Sequence, residues 1–307
     1  MRKTIKLPST DGINSLHVVI WKPEKQYKAI VQISHGMVEY IERYDEFANF
    51  LNDNGILVIG NDHLGHGKTA IDDVDFGYFG EGRSETVVND LHEVTLYAKK
   101  TYGEDVPYFL FGHSMGSFMA RRYLMTYGSE LKGAIISGTG HKTVPVLAVG
   151  KFIAGTSKLI KGDRHRSKLL KKLSFLGYNK RIKNAGTEND WLSRNEENVK
   201  KYNGDRYCTF CFTVNGYQTL FDVLGYVRKK ENYSKIPKNL PIFFIAGVED
   251  PVGAYGKGVK KVFKNYKKSG IEDIEIKLYD DDRHEIINEV DREVVYEDAL
   301  MWIEKHI

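Results

Sequence analysis

Short runs of β-branched and aromatic residues alternate along the chain with stretches of helical periodicity. The run Ala29-Ile30-Val31-Gln32-Ile33 predicts a buried strand that ends at Ser34-His35-Gly36. A helical pattern from about Glu42 to Asn52, closed by Gly55, leads into a second strand, Ile56 to Ile59. After the loop Asp62-His63-Leu64-Gly65-His66-Gly67, residues 84–101 read as a helix, Val106 to Phe111 as a strand, Met115 to Tyr127 as a helix and Ala134 to Ile136 as a strand. The alternation then stops. It resumes at the strand Ile242 to Ile245, with a helix near 256–268, a strand from Ile274 to Tyr279 and a last helix near 291–306. Apolar strands separated by helices call for a mainly parallel sheet with helices on both faces, so the expected class is α/β. The expected organisation is a core of residues 1–139 and 236–307, interrupted by a helical cap over 140–235.

Candidate chemistry sits at the ends of these strands. Gly112-His113-Ser114-Met115-Gly116 matches G-x-S-x-G once. With 29 glycines in the chain the pattern alone is weak. Here, however, it follows a predicted strand and opens a predicted helix, the setting of a nucleophile elbow. A serine hydroxyl needs a base to take its proton, and on such sheets the order is Ser, then Asp or Glu, then His. Asp250, in Gly247-Val248-Glu249-Asp250-Pro251, follows the strand Ile242 to Ile245, with Glu249 as the minor alternative. His284, in Asp282-Arg283-His284-Glu285, follows the strand that ends at Tyr279. Each of the three therefore lies past the carboxyl end of its own strand, where sites in open α/β sheets form. The expected roles are Ser114 as nucleophile, Asp250 as orienter and His284 as base. The expected oxyanion donors are the backbone N–H groups of Met115 and of Met37, with Gly36 allowing the turn. His113 neighbours the serine but should point elsewhere on the elbow, and the penultimate His306 is expected in solvent. His63 and His66, three apart, are read as part of a loop held by its own hydrogen bonds and not as metal ligands. The reaction calls for no metal or cofactor.

Ser34-His35-Gly36-Met37-Val38-Glu39 with Arg43-Tyr44, the Asp62 to Gly67 loop, the serine elbow, Asp250-Pro251-Val252-Gly253 with Gly256-Lys257-Gly258, and Arg283-His284-Glu285 resemble the monoacylglycerol lipase and lysophospholipase-like family, in its bacterial branch. The resemblance covers nearly the whole chain apart from the first half of the cap. It implies the α/β-hydrolase fold with an inserted helical lid, and hydrolysis of monoacylglycerol or lysophospholipid esters through an acyl-enzyme. It implies the same triad and oxyanion donors, and places Glu39 and Arg43 near the site for the alcohol part. Gly36 and His113 join them as expected substrate contacts. A broad carboxylesterase, a serine peptidase or a non-catalytic binding protein on the same scaffold are the rival readings. Ser114 at the elbow, where dehalogenases and epoxide hydrolases of this fold carry Asp, excludes those two activities. Two departures stand out. Ser117 occupies a position where the family usually has a second glycine, which should loosen the helix packing. Asp280-Asp281-Asp282 replace the usual small residues, and this run is expected to raise the pKa of His284.

Composition adds one further feature. The chain has 307 residues, 41% hydrophobic and 28% charged, with a net charge of +4, too small to imply nucleic acid as a partner. Yet Lys151 to Lys183 holds eleven Lys or Arg and one acid, Asp163. Within it, Arg164 to Leu176 is expected to form a basic helix with Leu169, Leu170, Leu173 and Leu176 on one face. Such a helix suits an anionic membrane surface, or equally a lid with a buried stripe and a solvated charged face. The aromatic residues Trp191, Tyr202, Tyr207, Phe210, Phe212, Tyr217 and Phe221 either wall an acyl pocket or form the cap's own core. The two cysteines, Cys208 and Cys211, are read as structural thiols. No apolar run is long enough for a signal peptide or a membrane span, so the expected location is cytoplasmic, with peripheral membrane contact through the lid.

Overall fold

In the computed structural model, which describes residues 1–307, the alternating segments assemble into a single eight-stranded sheet. Its strands are β1 (Arg2–Pro8), β2 (Ser15–Trp21), β3 (Ala29–Ser34), β4 (Ile56–Asn61), β5 (Tyr108–His113), β6 (Gly133–Ser137), β7 (Ile242–Gly247) and β8 (Ile274–Tyr279). They lie in the order β1-β2-β4-β3-β5-β6-β7-β8. Pairs from β4 through β8 are parallel, while β1 with β2 and β2 with β4 are antiparallel. The ten helices are α1 (Asp45–Asp53), α2 (Arg83–Tyr102), α3 (Met115–Tyr127), α4 (Val144–Lys161), α5 (Lys168–Ser174), α6 (Glu196–Gly204), α7 (Val214–Val227), α8 (Lys230–Tyr233), α9 (Lys257–Lys268) and α10 (Arg292–Lys305).

Period-two alternation in the central strands divides the apolar residues between two cores. Val31, Ile33, Phe109 and Phe111 face α1 and α10, whereas Ile30, Leu110 and Ile136 face α2, α3 and α9. Each large apolar side chain buried this way contributes about 1.5–3 kcal/mol. Gln32 is the polar exception at the centre of β3. Its amide donates to Leu91 O at 2.8 Å and accepts from Thr95 Oγ1 and the Tyr108 hydroxyl, each at 2.7 Å. Paired in this way, it escapes the 1–3 kcal/mol cost of a buried polar group left unsatisfied, in round terms.

The segment between β6 and β7 carries α4 to α8. Helix α7 packs against α2 and α3 as well as α4, so part of the insertion lies directly on the core. The expected basic helix is shorter than its pattern suggested. Only Lys168–Ser174 is helical, started by the Ser167 side chain, which accepts from Leu170 N. Ahead of it, Arg166 pairs with Thr213 in an isolated bridge and donates to Phe76 O and Cys211 O, holding the chain extended. Of the four leucines expected on one helical face, Leu170 is buried and Leu169, Leu173 and Leu176 are exposed. A second correction concerns His306. It is buried, with Nδ1 2.7 Å from Trp302 O and Nε2 3.0 Å from Asp273 Oδ2, because α10 folds back onto the sheet. No helix is long and apolar enough to cross a membrane.

Candidate active site

The carboxyl edge of the sheet brings the expected residues together. At the end of β5, Ser114 adopts φ 52° and ψ −118°, a left-handed conformation that costs a non-glycine residue roughly 1–3 kcal/mol. Its N–H donates to Ser137 O at 3.0 Å, which ties the elbow to β6. The close approach is possible because residue 116 has no side chain: a Cβ there would lie 2.0 Å from Ser34 O. Ser117, expected to loosen the helix, is buried and donates its hydroxyl to Ser114 O at 2.6 Å, so its polar atom is satisfied inside α3.

His284 Nε2 lies 2.7 Å from Ser114 Oγ. On its other side, Nδ1 is 3.0 Å from Asp250 Oδ1, which also accepts from Val252 N at 2.8 Å. The Nδ1 contact is close but off-axis, and Nδ1 and Asp250 Oδ2 both lack an aligned partner. Catalytic contacts often straighten only when substrate is bound. Gly247 lets the base loop cross the end of β7, since a Cβ there would meet Asp282 O at 2.1 Å. Glu249, the alternative orienter, turns to the surface and faces Arg181 at 3.4 Å. His113 packs its ring 4.8 Å from that of His284 and contacts Ser137 Oγ at 3.2 Å. Burial and the neighbouring His284 hold His113 well below the ordinary imidazole range.

Burial opposes a charged His284, but Asp250, then Glu285 and Glu39, outweigh it and raise its pKa. The acidic run is not the cause. Asp282 is buried against Arg194, and Asp280 and Asp281 are exposed. Because His284 must be neutral to accept the serine proton, activity should fall as pH drops through a value above the ordinary 6.5. A pH–rate profile of an Asp280→Asn/Asp281→Asn variant should keep that acidic limb in place. A downward displacement would restore the role first expected of the run.

Met37 N–H donates to no acceptor in the chain, and Met115, first residue of α3, carries one of the N–H groups that a helix start leaves free. The positive end of α3 thus lies at the serine. Gly36 N–H donates to Glu39 Oε1, which also accepts from the Tyr44 hydroxyl at 2.9 Å. Gly36, Glu39 and His113 line the cavity above the serine, whereas Arg43 is turned aside against Glu285 at 2.5 Å. Two groups were not singled out from the sequence. Glu285 was legible only as a neighbour of His284, and Asn198, which donates to Glu285 Oε2 at 2.8 Å, carried no local signal.

The cavity has a volume of about 1440 Å³ and is mostly apolar. Trp191, Tyr202, Phe210, Phe212, Tyr217 and Phe221 all line it, and Tyr207 instead packs on Tyr40 and Phe76. Trp191 packs with its ring centre 5.0 Å from that of His284, the two planes tilted by 39°. Around it the cap is laced to the base loop. Arg283 donates to Asp190 O and Ser193 O at 2.7 and 3.0 Å, Glu285 N to Leu192 O at 2.7 Å, and Arg194 N to Glu289 at 2.9 Å. Lys142, Lys168, Lys171, Lys172 and Lys180 line the cavity as well.

The Asp62 loop is held only in part by its own bonds, His66 N to His63 O and the His66 ring to Leu64 O, each at 3.0 Å, and otherwise by neighbouring segments. Asp62 accepts from Ile41 N and Lys68 N at 2.8 and 2.7 Å, and His35 Nε2 accepts from His63 N at 3.0 Å. Burial pushes His63 down to about 3 and His66 to about 4, leaving both rings neutral. Both cysteines are free thiols. Cys208 is buried beside Arg43 at 3.8 Å, and Cys211 is half-buried.

A mainly parallel sheet with a strained serine between β5 and α3, backed by histidine and aspartate at later strand ends, defines an α/β-hydrolase. The sequence belongs to the serine aminopeptidase S33 family, whose model matches residues 25–291. Among relatives, a monoacylglycerol lipase of Mycolicibacterium smegmatis is 25% identical, with 96% of each chain aligned. A monoglyceride lipase of Rattus norvegicus is 31% identical over 60% of this chain, and the match spans only about half, 54%, of the rat protein. Among solved structures, a thermostable carboxyl esterase from Bacillus coagulans in complex with glycerol superposes with a TM-score of 0.90. It is 31% identical, over 99% of this chain and 98% of that one. The resemblance first seen in the motifs is therefore one of family.

Proposed function

We propose that this protein hydrolyses carboxylic esters of monoacyl lipids, monoacylglycerols or lysophospholipids, through an acyl-enzyme. The observation that carries the reading is the 2.7 Å contact between His284 Nε2 and Ser114 Oγ on the floor of a large apolar cavity. In the acylation step His284 takes the Ser114 proton as Oγ attacks the ester carbonyl. The oxyanion is met by the N–H groups of Met37 and Met115. Collapse releases the alcohol, which receives the proton from His284. Water then repeats the sequence against the acyl-enzyme and frees the fatty acid. Asp250 keeps the ring oriented and stabilises its charged form.

The apolar walls supply the reason for a long acyl chain, at about 0.8 kcal/mol per buried CH₂. The glycerol held by the Bacillus coagulans esterase supports a small polyol as the alcohol side. Residues 140–235 act as the cap over this cavity. Its outer part exposes Phe152, Leu159 and Ile160 within the basic stretch, a combination that suits contact with anionic lipid.

One panel tests the reading. Acetyl, octanoyl and longer acyl esters of glycerol and of glycerophospholipids are offered with an aminoacyl anilide. They are presented in neutral and in anionic vesicles. The expected outcome is a kcat/KM that rises with chain length by about tenfold for every two methylenes until the cavity is filled, with faster turnover on anionic vesicles. A preference for acetate would favour a general esterase, and turnover of the anilide alone a peptidase.

A further inference from the structure

Arg43 lies in the single turn Ile41–Tyr44 ahead of α1, its side chain only 9% exposed, and it does not reach the cavity. Its Nη2 donates to Glu285 Oε2 at 2.5 Å, while its Nε lies 3.4 Å from Glu39 Oε2 as an ion pair without an aligned hydrogen bond. The two carboxylates belong to different parts of the site. Glu39 accepts from Gly36 N–H and so closes the turn that presents Met37. Glu285 is the residue next to His284. We infer that Arg43 is a positioning residue that clamps the oxyanion-hole loop and the base loop into one unit, with Glu39 and Glu285 as its two arms. This inference rests on the ester-hydrolase reading above.

The backbone between the arms explains the need for a clamp. Val38, between Met37 and Glu39, has φ 57°, a left-handed conformation that a β-branched residue adopts only when its surroundings impose it. Released, this turn would relax and carry the Met37 N–H away from the 2.7–3.1 Å range that an oxyanion donor must keep, on the order of ångströms. The cap adds to the clamp from the far side. The Arg43 guanidinium lies 4.9 Å over the Tyr202 ring, and Asn198 bonds both Arg43, at 3.3 Å, and Glu285, at 2.8 Å. Burial and the neighbouring Glu285 raise Glu39 to about 7, so the charge of the set near His284 changes with the protonation of Glu39. The groups that face the ring are then Ser114, His113, Trp191, Asp250 and, further off, this Glu39–Arg43–Glu285 set.

The test uses the full chain, a soluble butyryl ester and a fluorophosphonate probe, with Arg43→Met, Arg43→Lys and Glu285→Gln variants. In Arg43→Met, kcat and the labelling rate should fall by about 100-fold with KM within about threefold, because misplacement of roughly 1 Å costs that much. Arg43→Lys should recover part of the loss. Glu285→Gln keeps the shape of the arm and removes its charge, so it should lower the acidic limb of kcat/KM by on the order of half a pH unit. Should Arg43→Met not fold, as read by circular dichroism, kcat and labelling of Glu285→Gln, which removes one arm and should lower both by about tenfold, decide the matter. The clamp is rejected if folded Arg43→Met, or in its place folded Glu285→Gln, retains kcat within about threefold. A wild-type chain that neither labels nor hydrolyses esters would instead remove the underlying reading, a result distinguishable from either.

Discussion

Replacing Ser114 by alanine is expected to lower kcat for ester hydrolysis by about 10⁶-fold, and replacing His284 by alanine by a similar factor. The two losses should not add, because the hydroxyl and the imidazole act as one unit: neither attacks without the other. What remains after either change comes from the oxyanion donors and from binding, roughly 10³-fold over water. Binding itself should survive. The cavity walls are untouched, so a non-hydrolysable long-chain ether should bind both variants as it binds the unaltered protein. Fluorophosphonate labelling separates the two roles. It should vanish in Ser114→Ala, where the nucleophile is gone, and become very slow in His284→Ala, where the oxygen remains without its base. Full labelling of Ser114→Ala would mean that another nucleophile carries the reaction.

Asp250→Asn should cost about 10³–10⁴-fold in kcat with KM little changed. The carboxylate is fully buried, and its Oδ1 serves both Val252 N and the His284 ring. An amide in that place has two orientations. With its oxygen toward the ring it keeps the geometry but no longer opposes the imidazolium charge. With its nitrogen there it places a donor against two N–H groups. The acidic limb of the pH profile should move downward in either case, because Asp250 is the leading influence that raises His284 against burial. Glu249→Gln is the matched control. Its partner is the exposed Arg181, and an exposed ion pair contributes about 0–1 kcal/mol, so kcat should stay within about fivefold. A larger loss in Glu249→Gln than in Asp250→Asn would exchange their assignments.

The sheet was legible where local pattern and tertiary role agree. The strands β3 to β7 are buried throughout, β8 alternates Ile274, Ile276 and Leu278 with Glu275 and Lys277, and each ends in turn residues, so period and punctuation coincide. Strands β1 and β2 both went unpredicted: β1 is a mostly exposed edge whose sequence RKTIKLP lacks an apolar run, whereas β2 carries one, Leu16 to Trp21, broken only by His17. Asp11-Gly12, between β1 and β2, was the available hairpin signal. The elbow, the acid and the histidine could be read because each depends on a short segment at a strand end. The buried contacts of Arg43 could not, since Glu39, Glu285 and Asn198 meet only after β3, β8 and α6 have converged. The acidic run misled for a related reason. Nearness in sequence to His284 says nothing about direction, and Asp282 turns to Arg194, which the cap supplies from 88 residues away.

The lacing of Asp190 to Asn198 onto the loop that carries His284 divides the cap into two parts with different freedom to change. Lifting the inner stretch would break the Arg283, Glu285 and Arg194 bonds and withdraw Trp191 from the imidazole, so any movement that admits substrate has to come from the stretch before it. Residues 144–178 make no hydrogen bond or ion pair to His284 or Asp250. That is the part of the molecule in which a lineage can exchange one set of substrates for another while the reacting atoms stay where they are.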